Sequence, residues 1–311
     1  MKKFILNIII MLVISISVVV LINEVYTMIR PTDSRGLEKF NNLPDKFDIV
    51  NVGSSHGQMS FNYSSIDGIM DCANLGVSSQ TYEYDYRLLD YYSDRINENT
   101  IVIIPYSYFS LTCESELDRA DFESHNRYYY NFLPKEYIIE YDYYSAIIEG
   151  LPVLVAYDTL LDSMKDAILG DGKAENLLTS VPMEDDANEF VKKNIVDIRN
   201  SDGTWDITQS QYDSLIGCID LCKEKGARVI LVTTPMIDLV TIKSDEQAKE
   251  FRIWFYNQID AICEEKKVEY LDYSCYKGIS DNYDLFVDAH HLNKEGSILF
   301  STVFFEKIKL R

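Results

Sequence analysis

Apolar and polar positions fall into blocks along this chain. Phe4 to Ile22 is apolar except for Asn7, Ser15 and Ser17 and carries no charge. At 1.5 Å per residue, a helix of about 19 residues covers about 28 Å, close to a bilayer's hydrocarbon core. A transmembrane helix is therefore predicted, and residues 24–44 read as a polar juxtamembrane linker. Beyond the linker, short apolar runs alternate with longer mixed stretches. The runs predict strands at Phe47–Val52, Cys72–Leu75, Ile101–Ile104, Arg228–Thr233 and Val268–Leu271. The stretches predict helices at Gln80–Ile96, Gln209–Lys225, Ser244–Lys266 and Asn293–Lys309, the last with Asn293 as its cap. Tyr82, Tyr86 and Tyr92 fall at helical spacing and are expected to pack on the sheet.

Continuously apolar strands separated by helices indicate a parallel sheet covered on both faces. The fold class is α/β, with ligands expected beyond the carboxyl ends of the strands. The alternation breaks over 111–201, a segment crowded with tyrosines (128–130, 137, 141, 143 and 144) that includes an apolar-leaning helical stretch, Ala146–Leu169. It reads as an inserted helical cap over the strand ends, or else as a packing extension remote from any site. The resulting organisation is a tip and anchor over 1–23, a linker over 24–44, and one α/β domain over 45–311 containing the 111–201 insertion.

Lys2 and Lys3 precede the apolar run and favour a cytoplasmic N-terminus, which puts the rest outside. A cleaved signal peptide would end at a small-residue site, and Ile22–Tyr26 offers none. The formal net charge is −21, from 29 basic and 50 acidic residues. Such a surface repels nucleic acid and anionic headgroups, and a neutral glycan or small molecule is the easier partner. The six cysteines form no CxxC pair and no zinc spacing. Buried free thiols are expected, although an extracellular location permits disulfides.

Two short constellations could carry chemistry. Gly53-Ser54-Ser55-His56 follows the first strand, where a tight turn into a helix would expose a hydroxyl. Serine is a weak nucleophile until a base lies within hydrogen-bond reach. Asp288-Ala289-His290-His291-Leu292-Asn293 precedes the last helix, and a carboxylate three residues before a histidine can fix its tautomer. Three of the chain's four histidines lie in these two motifs. A set of Asp288, His290 and His56 could also ligate a metal, but no metal or other cofactor is expected.

Together the motifs resemble the SGNH/GDSL hydrolase superfamily, over the chain from Phe47 to its end with the insertion unmatched. The resemblance implies a three-layer, flavodoxin-like α/β/α sheet. It implies Ser55 as nucleophile, His291 as base and Asp288 as its orienting carboxylate. The N–H groups of Ser55 and of Gly76, in Asn74-Leu75-Gly76, would form the oxyanion hole. The family's Gly-x-Asn-Asp block is replaced by Pro105-Tyr106-Ser107-Tyr108. His56 and Tyr106 are candidate substrate contacts. Within the superfamily the chain looks like the DltD-type and related membrane-anchored cell-envelope proteins. That likeness implies a single-pass extracytoplasmic esterase or acyltransferase with no cofactor. It would act on acyl esters, of acetyl type, on envelope polysaccharide or another hydroxyl acceptor, beside a membrane-bound O-acyltransferase. The altered third block also admits a non-catalytic glycan-binding or assembly subunit.

Overall fold

The computed structural model describes residues 1–29, 37–65, 70–151, 183–242 and 246–309. In chain order the elements are α1 (Lys2–Ile29), β1 (Ile49–Asn51), α2 (Ser55–Ser60), β2 (Cys72–Asn74), α3 (Tyr82–Tyr91), β3 (Ile101–Pro105), α4 (Phe122–Asn126), α5 (Tyr143–Gly150) and α6 (Met183–Val191). There follow α7 (Gln209–Glu224), β4 (Arg228–Thr233), α8 (Asp238–Ile242), α9 (Glu246–Lys266), β5 (Glu269–Asp272) and α10 (Lys294–Lys309). The chain divides into two compact units, Met1–Glu38 with Glu123–Leu177, and Lys39–Phe122 with Leu178–Arg311.

The second unit holds a five-stranded parallel sheet of order β2-β1-β3-β4-β5. This is the flavodoxin-like order, whose switch point lies between β1 and β3. All five strands coincide with predicted ones to within three residues at either end. Successive strand residues face opposite sides of a sheet. Ile103 and Ile104 of β3, like Ile230 and Leu231 of β4, have no exposed surface, so helices cover both faces. On α7 the buried residues Gln211, Leu215, Cys218, Ile219 and Cys222 make one inward-facing stripe, apolar except for Gln211. That stripe accounts for the two cysteines four apart, which are buried free thiols. Cys72, Cys113 and Cys263 are only partly buried and Cys275 is exposed, so the expectation of buried thiols is corrected to these two.

The α3 helix is shorter than expected. Ser79 takes a left-handed φ of 61° and the Gln80 N–H turns back to the Val77 carbonyl, which delays the helix until after Thr81, whose hydroxyl donates to Glu116 and does not cap it. Tyr82 and Tyr92 are buried as expected, but Tyr86 is 38 % exposed and lies over Gly217 of α7 instead of on the sheet.

The first unit contains α1, whose Lys2–Val25 stretch is long and apolar enough to cross a membrane and is largely exposed along its apolar length. Asn23, near its end, is buried, and its Nδ2 donates to the Gly150 carbonyl of α5 (3.4 Å). Asp142 caps α5 by accepting from the Ser145 N–H, and Tyr130 stacks on Tyr141 at 5.0 Å. Of the helical stretch predicted over Ala146–Leu169, α5 covers the part up to Gly150, Leu151 leaves the helical conformation, and residues 152–169 lie outside the described residues.

Candidate active site

The serine turn is built at the carboxyl end of β1. Gly53 has φ +109°, a conformation that favours glycine, and a Cβ there would stand 2.8 Å from Pro105 Cγ at the end of β3. Its N–H donates to Asp85 Oδ1 (2.8 Å) and its carbonyl accepts from Val77. Ser54 caps α2 by accepting from the His56 N–H, and Ser55 is the first residue of that helix. The α2 helix has six residues, too few for much macrodipole, so what it offers a developing negative charge is the Ser55 N–H, which has no intrahelical acceptor.

Two asparagines hold α2 in place. Asn74 Nδ2 donates to the carbonyls of Gly57 (3.1 Å), Gln58 (3.0 Å) and Phe61 (3.1 Å), satisfying the helix's carbonyl end. Asn51 Nδ2 donates to Gly57 O and to Asn74 Oδ1, both at 3.1 Å, and Asn51 Oδ1 accepts from Tyr63.

His291 arrives on the turn before α10. His291 Nε2 lies 2.8 Å from Ser55 Oγ, and His291 Nδ1 lies 2.7 Å from Asp288 Oδ2. Asp288 Oδ1 accepts the N–H groups of His290 (3.0 Å) and His291 (2.8 Å), fixing the turn. Burial works to raise the Asp288 carboxyl. The His291 ring bond, the electrostatic pull of the two neighbouring imidazoles and the His290 N–H outweigh it, and hold Asp288 well below the usual carboxylate range. Asn293 caps α10 by accepting from Gly296 (3.0 Å), and Asp186 of α6 braces the turn by accepting from the Ala289 N–H (2.6 Å).

The other predicted site residues fall differently. The Gly76 N–H donates to Asn74 Oδ1 (3.0 Å) and is therefore already in use, which corrects its assignment to an oxyanion hole. Gly76 instead lets β2 approach α2: a Cβ would meet Gln58 N at 2.6 Å and Gly57 C at 2.9 Å. Its carbonyl accepts from Lys39 Nζ, an amine that burial pushes down to about 7. Tyr106 is 1 % exposed, with its ring against Phe255 at 4.7 Å, and cannot reach a substrate. His56 is 2 % exposed and likewise does not line the cleft. Its Nδ1 lies 2.6 Å from Ser107 Oγ and its Nε2 lies 3.0 Å from His290 Nδ1. Thus Ser107, not Tyr106, stands where the segment after β3 meets the site. Burial, then the neighbouring imidazoles, push His56 well below the ordinary histidine range and His290 down to about 3, so both rings are neutral.

Ser55 and His291 open on a cleft of about 740 Å³. Phe109 and Phe190 give it apolar wall, with the Phe190 ring tilted against His290 at 4.4 Å. Arg119, Glu189 and Lys193 line it as well, and Arg119 is tied to Asp121 (2.6 Å) and Glu116 (3.4 Å). Both ends of the 111–201 segment thus reach this cleft, through Arg119 on one side and α6 on the other. Phe190, Asp186 and Arg119 lie in that segment, where no local motif marks them.

No family model matches the chain, and no curated protein matches it. Among solved structures, it is similar to a Bacteroides fragilis protein provisionally described as an acylhydrolase. The identity is 12 % and the TM-score 0.41, over 90 % of this chain and 98 % of that one. It is also similar to the Bacillus subtilis protein YxiM, with 13 % identity and a TM-score of 0.39 over 86 % of this chain. The match spans 57 % of the length of YxiM. Likeness at this level concerns the path of the chain, so the chemistry must be argued from the residues themselves.

Proposed function

We propose that this chain is a membrane-anchored serine esterase or acyltransferase whose nucleophile is Ser55. The observation that carries the reading is the continuous hydrogen-bonded line from Ser55 Oγ through His291 to Asp288. Ser55 Oγ attacks an ester carbonyl while its proton passes to His291 Nε2. Asp288 holds the imidazole in the tautomer that accepts that proton and stabilises the imidazolium. The Ser55 N–H faces the developing oxyanion. His291 then protonates the departing alkoxide, leaving an acyl-serine. Water or an acceptor hydroxyl attacks the acyl-serine, His291 takes the attacker's proton, and the same proton returns to Ser55 Oγ.

The apolar helix Lys2–Val25 supports an anchor, and the two lysines support an extracytoplasmic catalytic domain. The cleft, walled by Phe109 and Phe190 and rimmed with polar groups, suits an acyl group carried on a sugar or another polyhydroxyl acceptor. The resemblance to DltD-type proteins favours small acyl esters of cell-envelope polymers and a membrane-bound O-acyltransferase as partner. A fluorophosphonate probe tests the reading on the full chain in detergent. Covalent labelling should appear in the wild type and vanish in Ser55→Ala. An unlabelled but folded wild type would leave the other reading, a glycan-binding subunit of an acylation complex. One observation favours that alternative, since the Gly76 donor is already spent on Asn74.

A further inference from the structure

Three imidazoles converge beside the nucleophile, more than the serine mechanism uses. One ring nitrogen from each of His56, His290 and His291 lies within 4.8 Å of those of the other two. The triad needs His291 alone. The geometry points to a divalent transition-metal site, of the zinc type, held by these three histidines and acting as an inhibitory switch on Ser55.

The ring orientations argue for it. Histidines that bind metals almost always hand their second nitrogen to a carboxylate, carbonyl or other acceptor, which fixes the tautomer. His291 directs Nδ1 at Asp288 Oδ2 (2.7 Å), and His56 directs Nδ1 at Ser107 Oγ (2.6 Å). His290 Nε2 lies 3.9 Å from Asp288 Oδ1, too far for a hydrogen bond, so only two of the three rings are oriented in this way. The remaining nitrogens, His56 Nε2, His290 Nδ1 and His291 Nε2, are the ones left to face a common ion. Zinc bonds to nitrogen of 2.0–2.1 Å in a tetrahedron set the ligand atoms about 3.3 Å apart. His56 Nε2 and His290 Nδ1 already stand 3.0 Å apart, and side-chain rotation closes the third ring onto them. His290 and His291 line the cleft, which gives an ion its entry path.

The protons balance without release. Each neutral ring keeps one proton, on the nitrogen turned away from the ion: His56 toward Ser107, and His290 and His291 toward Asp288. His290 shifts to the Nε2–H tautomer, and the hydrogen bond between His56 and His290 is exchanged for two metal bonds. The Ser55 hydroxyl, displaced from His291 Nε2, or a water takes the fourth position. Three imidazoles without a carboxylate in the first sphere suit Zn²⁺, Cu²⁺ or Ni²⁺ and disfavour Mg²⁺ and Ca²⁺. The bound ion occupies the lone pair that must accept the serine's proton, so it blocks the base. This last step rests on the serine reading above; the binding itself does not.

The test uses the metal-free full chain in detergent, titrated with Zn²⁺ by calorimetry and with Co²⁺ by visible absorption. One Zn²⁺ per chain is expected, together with the intense visible bands of four-coordinate Co²⁺. Ser55→Ala should keep both signals, because it leaves all three rings in place. His290→Phe, checked for native circular dichroism, should lose them, and Ser107→Ala should weaken Zn²⁺ about tenfold as loss of an outer-sphere partner does. Zn²⁺ should also slow probe labelling of Ser55, and EDTA should restore it. No stoichiometric Zn²⁺ in the wild type, or wild-type binding in His290→Phe, would overturn the site. Zn²⁺ bound with labelling undiminished would overturn the switch. A wild type that binds Zn²⁺ but is never labelled would sink the serine reading and leave the site standing.

Discussion

The Asn74 side-chain amide donates to the Gly57 carbonyl at 3.1 Å, and so β2 grips the far end of the helix that begins with Ser55. The same amide reaches Gln58 and Phe61, while Asn74 Oδ1 receives the N–H of Gly76 and Nδ2 of Asn51. The asparagine is thus a donor to α2 and an acceptor from both flanks. Asn74→Ala takes the amide away from the Gln58 and Phe61 carbonyls, leaves Gly57 O to Asn51 alone, and should cost about 1–3 kcal/mol in urea denaturation. Asn74→Asp keeps the size but sets a carboxylate against three carbonyls, and it should be no more stable than the alanine variant. Wild-type stability in Asn74→Asp would show that the amide protons are not what holds α2.

Gly76 makes the second contact under α2, and its constraint is steric. An added methyl meets the backbone of Gln58 and Gly57, which cannot swing aside as a side chain would. Gly76→Ala should destabilise by about 1–3 kcal/mol, in the range of overpacked cores. It should also lower the labelling rate of Ser55, since α2 must move. Gly150→Ala is the control, because a Cβ there meets nothing within 4 Å. Equal denaturation midpoints for the two variants would remove the close-approach argument.

Much of this was legible in the sequence, for identifiable reasons. The central strands were readable because both faces of the sheet are buried there, which leaves β3 and β4 as nearly unbroken apolar runs. Ser55, His291 and Asp288 were readable because each motif is local: a strand–Gly–Ser turn, and an Asp-x-x-His turn that its own backbone closes. What was missed depends on approach between distant segments. Asn51 and Asn74 are polar residues inside apolar strands, a signal that was present but not weighed. Tyr106 was preferred to Ser107, although a strand ending at Pro105 alternates Tyr106 into the core and Ser107 toward the site. The meeting of His56 and His290 spans 234 residues and has no local mark.

Asp85 gives the molecule a pH signature. It is fully buried beneath the serine turn, and burial pushes its carboxyl up to about 7 against hydrogen bonds from Gln80 and Gly53. The unfolded chain releases that proton near pH 4, whereas the native state holds it until about pH 7. Between those values the native state binds more protons, so stability falls as pH rises, by on the order of 4 kcal/mol across the window. The contribution is fully present below pH 4 and gone above about 7. Asp85→Asn keeps an acceptor for the Gly53 N–H and has no proton to lose. Urea denaturation at pH 5 and pH 8 should therefore show a smaller difference for Asp85→Asn than for the wild type. Identical differences would place the titration elsewhere.

The triad makes the sharpest kinetic prediction, because its members do different work. Ser55→Ala removes the proposed nucleophile and should abolish both labelling and ester turnover. Asp288→Asn preserves the volume but replaces the acceptor that His291 Nδ1 faces at 2.7 Å. An amide NH₂ turned toward Nδ1 favours the tautomer with its proton on Nε2, the nitrogen that must receive the proton of Ser55. The expected fall in kcat is about 10⁴-fold, the scale seen when the orienting carboxylate of a Ser-His-Asp enzyme is made an amide. KM should change little, since Asp288 faces His291 and the turn and does not line the cleft. Burst kinetics with an activated ester would assign the loss: Asp288→Asn should slow the burst itself, whereas a defect confined to deacylation would leave the burst intact and slow only the steady state. A fast burst in Asp288→Asn would mean that Ser55 is activated without His291 in that tautomer, and the proposed chain of proton transfer would fail.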